Sequence, residues 1–298
     1  MKKSILFLLL TGFVFSYTSA QDETESYPVT AFESNYIVDD QTTMVFDKKT
    51  LGFAIQHKFG TIDNGISDLW GIYGAGTNIR MGLDYVPIKN LQIGAGVTKN
   101  KMYTDLNAKY SILQQTSDNK IPVGVAIYGV LAIDGREESA FGTAKTHQPG
   151  EGSAEYSITF TDRWSYFSQL MVSRKFGEAL AVQGGVSFTH YNMVKADEDH
   201  DLIGLHGLAK VKISPQSSLT FNYNAPLKIQ SISEQTEVPD YTPSVALGWQ
   251  ISTYTHAFQI YLSNAPGMLP MDNMMYNRAK FNKQGIAIGF TITRLWAF

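Results

Sequence analysis

From Leu51 to the last residue, large apolar side chains alternate with small or polar ones in segments of about ten residues, separated by turn-forming stretches. In Gly285–Phe298, Ile286, Ile288, Phe290, Ile292, Trp296 and Phe298 share one register, while Ala287, Gly289, Thr291, Thr293 and Ala297 share the other. A period of two belongs to a β-strand whose two faces meet different surroundings. The pattern recurs from Leu51–Phe59 onward and predicts about twelve strands, each near the length needed to cross a bilayer obliquely.

The connections alternate too. Pro87–Asn90, Gln115–Lys120, Gly177–Ala179, Ser214–Ser218 and Tyr254–His256 are tight turns. Gly60–Thr77, Asp134–Arg163, Asn192–Asp201, Leu227–Pro243 and Asn264–Gln284 are long, and only Lys99–Met102 breaks the order. Short turns at one end and long loops at the other are the habit of bacterial outer-membrane barrels. The fold expected over residues 50–298 is therefore all-β, a transmembrane antiparallel up-and-down β-barrel. An open sheet would leave two unpaired edges in lipid, and closure removes both.

Residues 1–20 read as a signal peptide: Lys2 and Lys3, an apolar run Ile5–Phe15, then Thr18-Ser19-Ala20. Residues 21–49 lack alternation and are expected to form an N-terminal periplasmic segment approaching the barrel wall. Removing the leader and its two lysines takes the net charge from -3 to -5, which offers nothing to nucleic acid. The absence of cysteine excludes disulfides, thiolate metal sites and thiol nucleophiles. Although 44% of residues are hydrophobic, no stretch after the leader is long and apolar enough for a membrane-crossing helix, a mixture that a barrel explains.

The inward register holds Gln56, Lys58, Arg80, Asp84, Lys210 and Lys212 as candidate lumen-lining residues. Aromatic residues near strand ends, among them Phe59, Tyr85, Tyr103, Trp164, Phe176, Tyr191, Tyr254, Trp296 and Phe298, are expected to form interfacial girdles. Arg294, in the lipid-facing register, lies close enough to the strand end to reach headgroups.

Catalytic and metal chemistry find little footing. In barrel phospholipases a Ser follows the His by two residues, but here His57, His190, His206 and His256 are followed at that spacing by Phe59, Asn192, Leu208 and Phe258. Ser187 and His190 project to opposite faces of one strand. The run Asp197–Asp201 is expected to be a solvated loop rather than a Ca²⁺ site, since it lacks EF-hand spacing. Met268, Met271, Met274 and Met275 suit loop packing over the pore better than Cu(I) capture. No catalytic, cofactor or metal residue is assigned.

Thr50-Leu-Gly-Phe-Ala-Ile-Gln-His-Lys-Phe-Gly60, Asp68-Leu-Trp-Gly-Ile-Tyr73 and Asn78-Ile-Arg-Met-Gly-Leu-Asp-Tyr85, with the closing Gly285–Phe298, resemble the outer-membrane barrel family known as domain of unknown function 5777. Its members more often carry Arg where Lys58 stands. The resemblance implies a barrel without an assigned activity and supplies no site residues. The expected function is a passive pore or binding conduit for a small solute in the outer membrane. A plugged structural or docking barrel stands as the alternative, with a rim-active lipid enzyme behind it. Expected partners are outer-membrane lipids and the barrel-assembly machinery, which would engage the strand ending in Phe298.

Overall fold

The computed structural model describes residues 26–141, 158–237 and 240–298, with 145–146 in backbone alone. The leader read at residues 1–20 lies outside the described residues. Twelve strands close into one barrel. In chain order they are β1 (Thr50–Thr61), β2 (Asn78–Ile88), β3 (Leu91–Thr98), β4 (Thr104–Leu113), β5 (Gly124–Ile133), β6 (Trp164–Phe176), β7 (Leu180–Tyr191), β8 (Asp201–Lys212), β9 (Ser217–Pro226), β10 (Ser244–Ser252), β11 (His256–Ser263) and β12 (Ala287–Ala297).

Every strand pairs antiparallel with its sequence neighbours, and β12 closes on β1 with Ala297 opposite Thr50 and Ile292 opposite Ile55. The register follows the alternation. Leu83, Ile93, Leu106, Ile127, Leu170 and Val186 stand exposed on the outside, as lipid-facing residues must. Their neighbours point inward and are buried. No described helix is long and apolar enough to cross a membrane, which says nothing against crossing by strands.

The aromatic expectation needs one correction. Tyr85, Phe176, Tyr254 and Phe298 are exposed outside, but Tyr103 and Tyr191 are buried inside, because the residue alternation turns both toward the barrel axis. Arg294 faces out near the seam, its guanidinium 4.8 Å from the Trp296 ring. His57 also faces out, its ring stacked 5.1 Å from Phe290.

The short connections, except the one between β3 and β4, gather at one end, the turn end, together with the start of β1 and the close of β12. The long ones gather at the other, the loop end, where α1 (Pro270–Met275) caps the barrel. Pro at its first turn fixes the start of this short helix. All six of its residues are buried, so it is held by packing. Met271, Met274 and Met275 meet Tyr103, Tyr191 and Leu269 beneath the loops, with Met268 also buried, so the methionines are a packed cap.

Candidate functional site

The lumen is filled by the chain's own N-terminal segment. Pro28–Val29 pairs with Gln115–Thr116 at the turn end, and the chain then climbs inside the barrel. It reverses through the short ladder Tyr36–Ile37 with Asp40–Gln41, where Val38 takes φ 59, and descends to β1. Within the segment expected on the periplasmic side, Phe32 and all of residues 34–43 are buried inside the cylinder. The stretch has no two-residue period because it is surrounded on every side. Phe32, Ile37 and Val38 pack on Ala181, Leu208, Ala246 and Tyr261 of the wall.

Polar groups form the rest of the seal. Gln56, Lys58, Arg80, Asp84 and Lys210 are all buried inside, while Lys212 is half-buried at the turn end. Arg80 grips Asp105 through Nε at 2.9 Å and Nη2 at 2.6 Å, and its Nη1 donates to Gln56 Oε1 at 3.1 Å. Asp84 accepts from Asn35 Nδ2 at 3.1 Å. Lys58 pairs with Asp39 and also donates to the Gly267 carbonyl at 2.7 Å, while Lys210 pairs with Glu33. Lys109 Nζ donates to Gln41 Oε1 at 2.8 Å and to the Thr42 carbonyl at 3.1 Å. Asp40 accepts from the side-chain amides of Asn222 and Asn224 at 2.5 and 2.6 Å.

Asp105 and Lys109 fall on the inward register of β4, where the alternation of the strand places them. The plug residues Glu33, Asp39 and Asp40 had no periodic signal to reveal them. Together these charges show a complement. The buried wall carries Lys58, Arg80, Lys109 and Lys210 against Asp84 and Asp105, whereas residues 26–46 carry three carboxylates and no Lys or Arg.

One hydrogen-bonded trio escaped the sequence reading. His206 Nε2 lies 2.7 Å from Ser187 Oγ, and its Nδ1 lies 2.9 Å from Asn224 Oδ1, across neighbouring strands β7, β8 and β9. The order matches nucleophile, base and orienting group. The surroundings do not suit catalysis: all three residues are buried, and their backbone N–H groups belong to strand ladders rather than to an oxyanion pocket.

At the loop end a cleft of about 380 Å³ opens beside α1. Its floor is fixed by Asp272, whose Oδ1 accepts from Lys101 Nζ at 3.0 Å, Tyr103 OH at 3.1 Å and Tyr191 OH at 2.9 Å. Lys101 also sits 3.6 Å from the centre of the Tyr276 ring. The strained connection between β3 and β4, with Lys101 at φ 54 and Met102 at φ 49, aims this ammonium inward. Burial, then the Glu198 and Asp272 carboxylates, hold the Tyr276 phenol well above its usual range and keep it neutral.

The acidic loop beside the cleft is not the solvated run expected. Glu198, Asp199 and His200 are buried. Asp199 accepts from Ser233 Oγ, the Glu234 amide and Tyr241 OH, each at 2.9 Å, and His200 Nδ1 meets Glu234. These carboxylates organise loop against loop. Among the described residues no three His, Asp or Glu side chains gather in a way that could hold a metal ion.

A closed twelve-stranded cylinder, apolar outside and polar within, defines a β-barrel of the outer membrane. The chain belongs to the membrane-bound beta barrel domain family DUF5777, whose model matches residues 32–296. No curated protein matches it in sequence. Among solved structures it is similar to the COG4313 outer-membrane channel from Pseudomonas putida F1, at 11% identity and TM-score 0.46, covering 85% of this chain and 97% of that one. It is also similar to the KdgM porin, at 8% identity and TM-score 0.42, covering 84% and 99%. The P. putida toluene transporter TodX aligns at 9% identity and TM-score 0.36, covering 84% and 89%.

Proposed function

We propose that the protein is a gated conduit for a small solute, closed in this state by its own residues 31–43, with the long loops outside the cell and both chain ends in the periplasm. The observation that carries the reading is the chemistry of the seal. Much of it consists of ion pairs and amide contacts between plug and wall, each of which water can replace when the plug withdraws. Residues 1–20 act as a cleaved leader, and the assembly machinery takes hold of the strand ending in Phe298.

Thr43 Oγ1 and Ser173 Oγ lie 2.5 Å apart, one on the plug and one on β6. The chain has no cysteine, so Thr43→Cys with Ser173→Cys introduces the only two thiols. In planar bilayers the reduced double variant should show channel openings, and oxidation should abolish them. Conductance that ignores the redox state overturns the plug as the gate, and a barrel silent in both states overturns the conduit in favour of a permanently filled structural barrel.

Among the described residues, the Ser187, His206 and Asn224 grouping is the observation that favours a rim or lumen enzyme. On the present reading it is a wall contact. Hydrolysis of a p-nitrophenyl ester by the purified barrel, lost in Ser187→Ala, would restore the enzymatic alternative.

A further inference from the structure

The solute class is written into two separate parts of the molecule. Of the charged side chains lining the loop-end cleft, five are basic (Lys101, Arg136, Arg163, Lys195 and Arg278) and three are acidic (Asp134, Asp162 and Glu198). Arg136 is spent on Asp134, with contacts of 2.9 and 2.6 Å, and Lys101 is spent on Asp272. Arg163 and Arg278 are different. Arg163 Nη1 donates to the carbonyls of Asp134 and Arg136, and Arg278 Nη1 donates to those of Met275 and Asn277 at 2.9 and 3.1 Å. Among the described residues neither guanidinium has a carboxylate partner. Backbone carbonyls hold the two forks in place and leave their other N–H groups for a ligand.

The cleft also offers planar surfaces. Phe141 lies 5.0 Å from the guanidinium carbons of both Arg136 and Arg163, and Trp164 and Tyr276 line the same space. A volume of about 380 Å³ is that of a small-molecule site.

Below the cleft, the plug shows what the wall prefers. Asp39 and Asp40 are buried against strands whose inward positions carry four buried basic side chains (Lys58, Arg80, Lys109 and Lys210) and two acidic ones (Asp84 and Asp105), and the more exposed Glu33 reaches Lys210. Asp39 occupies Lys58 and Glu33 occupies Lys210. Withdrawal of the plug would leave a wall of net charge +2 (four minus two), which favours anions along its length.

We propose that the solute is a small organic anion with a planar body, captured in the loop-end cleft and passed along wall cations that the plug's carboxylates now cover. The inference rests on the conduit reading for its meaning in transport, but its binding step is measured without flux.

Calorimetry on the full-length protein in detergent, with benzoate as probe and benzyl alcohol as its uncharged counterpart, tests the capture step. Benzoate should bind at least about tenfold more tightly than benzyl alcohol, and added salt should weaken it. Arg163→Gln and Arg278→Gln should each reduce benzoate affinity severalfold and leave benzyl alcohol unchanged. The exposed Lys195→Gln gives the same comparison if an arginine variant fails to fold. Equal binding of the two probes, or benzoate binding indifferent to all three substitutions, overturns the capture site.

For the lumen, the reversal potential of the reduced Thr43→Cys, Ser173→Cys protein in a potassium chloride gradient should report preference for chloride. Preference for potassium overturns the anion path. Benzoate bound by a barrel that never conducts would remove the conduit and keep the site. Conduction without benzoate binding would do the reverse.

Discussion

Arg80 and Asp105 show how much a single buried partner matters. Both are nearly inaccessible, and the fork between them satisfies two guanidinium donors and both carboxylate oxygens. Removing one member leaves the other charged and uncompensated, so Arg80→Met should lower stability by about 3–5 kcal/mol. Arg80→Met with Asp105→Leu should lie much closer to the parent, since both charges then disappear. Urea unfolding of the vesicle-inserted barrel, followed by tryptophan emission, separates the two outcomes. Asp68 presents the opposite case, a half-buried carboxylate in the β1–β2 loop. The Gly71 amide, first, and then the Asn64 side chain hold its carboxyl below the ordinary value. A depressed folded value means that its contribution is complete above the usual carboxylate pKa of about 3.9 and fades as pH falls through the lower folded value. The Gly71 amide resonance should therefore titrate with a midpoint below about 3.9, and Asp68→Asn should abolish the transition.

The same loop shows what an element asks of its backbone. Gly60 donates to the Gly71 carbonyl at 2.9 Å, and a Cβ on Gly71 would stand 2.1 Å from the Gly60 oxygen at φ 85. Gly65 also has positive φ, at 58, but open space surrounds it. Gly65→Ala should cost about 1 kcal/mol, the ordinary penalty of left-handed backbone, and Gly71→Ala distinctly more because the strands' exit must shift. Thermal unfolding of the two variants gives the comparison. The twelve strands were readable because a slip of one residue would turn every apolar side chain inward, leaving a single acceptable register. The cap helix was not. Pro270–Met275 is too short to show a helical period, and its apolar residues read equally well as loop packing. Tyr103 and Tyr191 were misplaced for a related reason: being near a strand end says nothing about which face a side chain takes, and the alternation, followed to the end, does.

At the scale of the whole molecule, the outside of the cylinder was far easier to read than its contents. Lipid imposes one rule on every outward position, so the wall is inscribed as a repeating pattern. The filling obeys no such rule. Glu33 meets Lys210 and Asp39 meets Lys58 across large separations in sequence, and only the charge balance between residues 26–46 and the inward register hints that they belong together. Gln56, Lys58, Arg80, Asp84 and Lys210 are buried inside the cylinder, and the alternation that places them there carries no sign of the residues they meet. The cleft was hidden further, since its basic groups come from four different connections that meet only after closure.

The hairpin inside the barrel has one leg continuous with β1 at the seam with β12 and the other emerging at the turn end beside Gln115 and Thr116. Tension applied at Tyr27 would therefore load its bonds in series, first the short ladder at Pro28 and Val29, then Glu33 on Lys210, then Asn35 on Asp84. Breaking such contacts singly needs far less force than shearing them together, so a modest pull on that end would uncork the cylinder without deforming a single strand.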